Sequence, residues 1–422
     1  MEIPNLKNLP LNYNPPNIMH VDLNSCFATV KQQAFKHLRG KPLLVSAYNS
    51  PKGCVVAPSI EAKQYGVKVG IRVFEAKLMA PDAVVCTPDT ALIRDVHIKL
   101  KKICSDYSPH VYPKSIDEVV VDFSNMEYFL KGRSLFDIGL EIKSRLKKDV
   151  GEWMKCSVGV GPNRFIAKVA SSYHKPDGLT VIDHNNLLKI YSTMELTDLP
   201  YIKYKNQARL KQVGIFSIKD FLGAPLEVLT KQVFESINGY YWYKRIRGWE
   251  VDDIEFERKS FGQDYALQKA TDNPKELSQI LMKLCEKMGR RIRKYGHDAY
   301  GIHVSCVYKD NTWWHKGKIF HTSCSTTLEL FRRAQYILDL QPYAKIIAKL
   351  GVSSYKLTPS GNTQASLFDD VDKKKQLSLA LDKINDKYGE FVITPARMMG
   401  MDKEIVDRIA FGGVKEIESL YE

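Results

Sequence analysis

No run of apolar residues in this 422-residue chain approaches the ~18 needed to cross a membrane as a helix. Met1 to Pro16 hold Asn and Pro where a secretion signal needs a basic end and an apolar stretch, so a cytoplasmic protein is expected. The eight cysteines include no Cys-x-x-Cys pair, which argues against a disulfide scaffold or a zinc site. The ten histidines form neither a His-Glu-x-x-His helix nor a Cys/His finger. Negative charge is also scarce: 48 Asp and Glu face 62 Lys and Arg, a net +14. What is present is a chain that is 44% hydrophobic, enough to bury real cores, and long enough for roughly two to four domains. The basic excess points to a polyanion, either nucleic acid or an acidic membrane surface; the alternative is a charged surface that serves solubility.

The excess is uneven. Residues 256–360 hold 18 Lys and Arg against 9 Asp and Glu, whereas 361–422 hold 9 against 12. Up to about residue 182, short apolar strands alternate with helices, which predicts one mixed α/β layer domain. A small module over about 26–82 is expected to be inserted in it. Residues 191–250 read as short helices with Pro and Gly punctuation. Residues 256–360 then read strand, helix, strand, strand, helix, strand, the split ferredoxin-like order. Residues 358–363 read as a linker, and the tail beyond them carries one clear helix over 373–388.

Three carboxylates stand out. Asp22 ends a predicted strand, and Asp117 and Glu118 interrupt an apolar one. Neighbours in a strand point to opposite faces, so Asp117 and Glu118 converge only at a bend or a strand end. Buried carboxylates need a counter-charge, and hard divalent cations supply it. Two such ions about 4 Å apart suit in-line phosphoryl transfer. Read without their surroundings, the same residues are equally a helix cap and two solvated turn acids.

The surroundings carry a resemblance. Val-Asp22-Leu-Asn-Ser-Cys-Phe27-Ala-Thr-Val, followed by Ser115-Ile-Asp117-Glu118, resembles the catalytic motif pair of Y-family DNA polymerases. Phe-Glu-Ala-Lys after Gly66 to Gly70, the stretch Ser157-Val-Gly-Val-Gly-Pro-Asn163-Arg-Phe-Ile-Ala-Lys168, and Lys175-Pro-Asp-Gly178 extend it over roughly residues 18–360. The Asn two places after Asp22, the stretch Gly-Cys-Val-Val-Ala-Pro-Ser-Ile-Glu-Ala-Lys63 and the tail resemble the UmuC-like branch of Gram-positive chromosomal, plasmid and phage type.

The resemblance implies an α/β and α+β multidomain chain with right-hand polymerase architecture. Its parts would be an N-terminal extension (1–17), a mixed α/β palm (18–25 and 83–182), small fingers (26–82), a helical thumb (183–253), a β-α-β-β-α-β little finger (256–360) and a C-terminal tail (361–422). It also implies roles. Asp22, Asp117, Glu118 and the Leu23 carbonyl would hold two Mg²⁺ ions. Phe27 would exclude a ribose 2′-hydroxyl. Lys63 and Lys168 would neutralise the dNTP triphosphate, Ser115 would support the carboxylate turn, and Val55, Val56 and Ala57 would roof the nascent base pair. Two positions depart from the family pattern: Ile60 stands where many members have Tyr, and Lys63 where others have Arg, whose fork a Lys cannot reproduce.

In the thumb, Ala208 to Phe221 fits the second half of a helix-hairpin-helix, but Leu199-Pro-Tyr-Ile-Lys-Tyr-Lys replaces the expected Gly-x-Gly turn. Lys203 and Lys205 are the expected substitutes for its phosphate contacts. In the little finger, Arg290, Arg291, Arg293, Lys294, Arg332 and Arg333 are expected to grip the DNA backbone. Gln364-Ala-Ser-Leu367-Phe368 resembles the peptide that docks in the bacterial sliding clamp. Primer-template DNA, dNTP and the clamp are the implied partners, with a UmuD-like accessory protein and RecA as further ones. The function implied is low-fidelity translesion synthesis in DNA repair and SOS mutagenesis. Two rival readings share some residues: a catalytically weak, clamp-tethered DNA-binding factor, and a two-metal nuclease.

Overall fold

The computed structural model describes residues 9–130, 132–253, 258–361, 371–389 and 391–401. These fall into two compact units, one N-terminal to residue 255 and one running from there to residue 401. Gln364, Leu367 and Phe368 lie outside the described residues.

The first unit carries strands β1 (Ile18–Leu23), β2 (Leu43–Ser46), β3 (Val55–Pro58), β4 (Val84–Cys86), β5 (Val111–Ser115), β6 (Glu118–Asp122), β7 (Cys156–Gly161) and β8 (Leu179–Val181). Five of them form a mixed sheet in the order β5-β6-β1-β7-β8, with β1 at its centre and wholly buried. Met19, Val21 and Leu23 on one face of β1 enter the main core with Ile93, Val96, Leu100 and Ile103 of helix Thr90–Ser105 and Ile138 and Ile142 of helix Leu135–Arg145. These helix residues recur at helical spacing, which puts them on one face of each helix. Asp89 caps the first of these helices on the Leu92 amide (3.2 Å), and Ser134 caps the second on Asp137.

The small inserted module differs from expectation at both ends. Helix Cys26–Ala34 gives Cys26, Phe27, Ala28 and Val30 to the core of the five-stranded sheet. Conversely, Val84–Cys86, grouped by sequence with the larger module, pairs parallel with β2 and completes the sheet β3-β2-β4. Strand propensity located both elements, but pairing partners are long-range and decided their allegiance. Short helices, among them Tyr204–Gln212, Ile218–Gly223 and Asn238–Arg245, build a separate core around Phe165, Phe221 and Trp242.

The second unit has strands β9 (Ser260–Thr271), β10 (His297–Tyr308), β11 (Trp313–Cys324) and β12 (Ile347–Pro359), all antiparallel in the order β11-β10-β12-β9. Helices Pro274–Lys294 and Thr327–Leu338 cover one face, giving the β-α-β-β-α-β order expected. Asn273 accepts from the Lys275 and Glu276 amides and Pro274 opens the first helix, the favoured start. Helix Val371–Tyr388 and residues up to 401 belong to this unit as well, and Met398 and Met401 sit in its core. The tail, expected to serve a protein partner, is to this extent an integral layer.

Candidate active site

The sheet register builds the site. Asp22 on β1 is the direct cross-strand partner of Glu118 on β6. Asp117 occupies the turn between β5 and β6, where its backbone carbonyl accepts from the Leu23 amide (2.9 Å) and its carboxylate accepts from Ser115 Oγ (2.7 Å). The bend expected between Asp117 and Glu118 is thus a real turn, pinned to β1 by a backbone bond. Strand alternation adds a residue that sequence reasoning missed: His20 shares the Asp22 face, 2% exposed, its Nε2 3.7 Å from Glu118 Oε2. Neither of its ring nitrogens has a hydrogen-bond partner. One donor atom from each of His20, Asp22 and Glu118 lies within 4.8 Å of the others.

Two ammonium groups answer these acids. Lys168, on helix Arg164–Tyr173, reaches Glu118 Oε2 at 2.6 Å, and Lys175 reaches Asp22 Oδ2 at 2.7 Å. Lys175 was noted only as part of a motif. Its position depends on Asn24, which is buried and whose side chain bonds Ser157 Oγ (3.0 Å) and accepts from the Asp177 amide (2.7 Å). The small polar Asn two places after Asp22 therefore fixes the turn that carries Lys175. Lys63 is exposed on helix Ile60–Gln64, within electrostatic reach of Lys175 and Asp22.

The electrostatics follow from burial and crowding. Burial, with Glu118 and Asp117 adding to it against Lys175, pushes the Asp22 carboxyl up to about 6. Burial raises Asp117 as well. For Glu118 burial is outweighed by His20, Lys168 and Lys175, and its carboxyl lies below the usual range. Burial pushes His20 down to about 3, so it is neutral at pH 7 and the lysines carry that effect. Carboxylates crowded so that two of the three, Asp22 and Asp117, resist ionisation are a donor set suited to a hard divalent cation. The donors that converge among the described residues are His20, Asp22 and Glu118, and Asp117 adjoins them in the turn before Glu118.

The other expected site residues differ in exposure. Phe27 is 2% exposed in the main core. Val55 and Ala57 are buried, and only Val56 of that trio is half-buried. Lys203 and Lys205 are exposed beside the turn at 199–203. Two arginines of the second unit, Arg293 and Arg333, require correction. Arg293 has a side chain 1% exposed, forks onto Asp382 at 2.6 and 2.7 Å, and also bonds the Ser325 carbonyl. Arg333 is held by Glu329 and by Thr322. Arg290 pairs with Asp386, and Arg291 donates to the Gly262 carbonyl (2.9 Å). Arg332 is exposed near Glu329. Helical periodicity turned Arg293 and Arg333 into the unit's own layers, where intramolecular acceptors satisfy them.

The five-stranded sheet with its acids at the β1–β6 seam defines a class of nucleotidyl-transfer enzyme, and similarity specifies it. Residues 21–172 match the impB/mucB/samB family and 258–367 match that family's C-terminal domain. A DNA polymerase IV of Pelotomaculum thermopropionicum is 32% identical over 386 residues, covering 90% of this chain and 94% of that protein. One of Moorella thermoacetica is 30% identical over 384 residues, covering 89% and 94%. A Y-family DNA polymerase chimera of Dbh and Dpo4 superposes with a TM-score of 0.70 at 23% identity, covering 81% of this chain and 99% of that one. The chain belongs to the impB/mucB/samB family and has the Y-family polymerase fold.

Proposed function

We propose that this protein is a template-directed, low-fidelity DNA polymerase that extends a primer across damaged template. The observation that carries this reading is the Asp22–Glu118 cross-strand pair with Asp117 in the adjoining turn, answered by Lys168 and Lys175. Family membership and relatives named DNA polymerase IV support the polymerase activity. The finer placement in a UmuC-like branch rests on Asn24, the stretch from Gly53 to Lys63 and the tail.

Two Mg²⁺ ions held by Asp22, Asp117, Glu118 and the Leu23 carbonyl would supply activation of the primer 3′-hydroxyl and charge neutralisation at the leaving pyrophosphate. The chain's own groups do the positioning. Ser115 and the Leu23 amide fix Asp117, so its carboxylate is held without reorganisation. Asn24 fixes the turn bearing Lys175. Lys168, Lys175 and Lys63 surround the acids with ammonium groups that are free to exchange a carboxylate for a triphosphate oxygen when substrate arrives. Phe27, at the helix start and 2% exposed, would act from its place in the core as the rigid backing that rejects a 2′-hydroxyl. The five-stranded sheet serves as palm, the β3-β2-β4 sheet as fingers, the helices of 183–253 as thumb and the second unit as little finger. With Arg293 and Arg333 satisfied internally, the DNA face in this reading is the opposite sheet face. There Gly262, Gly351, Ser305 and Ser353 keep the surface low enough for a phosphate backbone to approach, and Lys349, ion-paired with the exposed Asp264, would add charge by exchanging that carboxylate for a phosphate. The peptide Gln364–Phe368 would tether the enzyme to the sliding clamp. UmuD-like and RecA partners and an SOS role extend the same reading.

The test is primer extension with Mg²⁺ and dNTPs, comparing the unaltered protein with Asp117→Ala. Extension is expected to be lost in the variant. Equal extension by both removes the catalytic assignment, and shortening of the primer replaces it with a nuclease.

A further inference from the structure

A strained residue sits beside the acids, and no core packing explains it. Tyr201 adopts a left-handed backbone, φ 69°, a conformation that disfavours any residue with a Cβ and that glycine occupies freely. The turn around it is firmly set. Leu199 and Ile202 are fully buried, the Ile202 amide bonds the Leu199 carbonyl (3.2 Å), and Asn206 donates to the Tyr201 carbonyl (3.2 Å). The ring itself is not part of that anchoring, for Tyr201 is 62% exposed. A bulky aromatic is thus held where a glycine would relieve the backbone, with little burial to compensate. Strain of this kind, kept by a rigid surround, is a mark of function.

The side chain stands at a cavity of about 470 Å³ within the first unit, between the open face of the five-stranded sheet and the helices of 204–245. Glu118 and Lys168 form its floor at the catalytic end. The Tyr201 hydroxyl lies within electrostatic reach of Lys168, Glu118 and Arg245. Lys114 and Arg209 add positive charge to the walls, Arg245 is paired there with Asp252, and Trp242 adds a second aromatic surface. Cations outnumber acids here, so the cavity favours a phosphate. The aromatics favour a sugar or base carried with it. A chain whose 3′ end must meet Glu118 has to approach along this face.

We infer that Tyr201 is a primer-positioning residue: its ring packs on the terminal primer nucleotide, whose backbone phosphate lies toward Lys114 and Arg209. This rests on the polymerase reading above. It assigns to a side chain the contact that a glycine turn would leave to backbone amides, and it makes primer grip a property of one aromatic ring.

The full-length protein tests this with Tyr201→Gly and Tyr201→Phe. Tyr201→Gly is expected to melt at or above the unaltered protein, because glycine accepts the backbone. It should raise the KM for primer-template about tenfold, with kcat at saturating DNA nearly unchanged and binding to unprimed template strand unchanged. Tyr201→Phe keeps the ring and should behave like the unaltered protein. An equal loss on primed and unprimed DNA, an unchanged KM, or an equal defect in both variants would each overturn the assignment. Failure of the unaltered protein to extend any primer would sink the polymerase reading instead, and the primed-against-unprimed binding comparison would still decide whether Tyr201 touches a primer end.

Discussion

The seam of β1 and β6 and the helical face of the second unit both concentrate charge, and they treat it in opposite ways. On the helical face, charges are closed against one another: Arg293 with Asp382, Arg290 with Asp386, Arg333 with Glu329, Lys375 with Asp298. At the seam three carboxylates crowd together, and Asp22 is pushed up to about 6 by burial even with Lys175 on it. A region whose charges are matched in number and geometry is finished as structure. One that remains overcrowded with like charge is arranged for a ligand. Local charge density alone does not separate them; residual mismatch does.

The comparison breaks most sharply at Asp117. Asp117→Ala should lower primer extension by about three orders of magnitude, with little loss of melting temperature, because the group removed was disfavoured in the folded state. On the other face the signs reverse. Arg293→Ala leaves Asp382 buried and unpaired and should destabilise the second unit by about 3–5 kcal/mol in denaturant melts. The salt dependence of DNA binding, measured where the variant is folded, should not change.

A third prediction concerns pH. A carboxyl whose folded pKa is raised favours the fold below its unfolded value of about 4. That contribution is lost as pH climbs through about 6, the folded value of Asp22. A divalent cation needs the carboxylate, so stabilisation by Mg²⁺ should be near zero at about pH 5 and substantial at about pH 7.5. Thermal melts with and without Mg²⁺ at the two pH values check it; equal shifts would mean the acids are not the ligands. The smallest effect belongs to the open sheet face. Lys349→Ala should reduce the slope of log affinity against log salt by about one, while Arg333→Ala leaves it unchanged. The reverse pattern would restore the helical face as the DNA grip.

Much of this was legible beforehand for identifiable reasons. The helices at 90–105 and 274–294 carry strict apolar periodicity and good caps, so local signals and tertiary packing agree. Asp22, Asp117 and Glu118 were legible because acids interrupting apolar strands have few structural uses. His20 was available from the alternation along β1 and was overlooked because a histidine in a strand has many uses. Arg293 and Arg333 misled because a run of arginines on a helix looks the same whether its acceptors are phosphates or carboxylates 89 residues away in sequence, as Asp382 is from Arg293.

The sequence by itself determined which residues could be strands and helices, the family motifs and the presence of an acid triplet, since these depend on neighbours along the chain. Tertiary structure alone decided that Asp22 faces Glu118, that Lys175 arrives on Asp22 by way of Asn24, that the tail closes the arginine face, and that Tyr201 lines the same cavity as Glu118 and Lys168. Each of those is a pairing between distant segments. Its free energy comes from desolvation and contact geometry that exist only once the chain has folded.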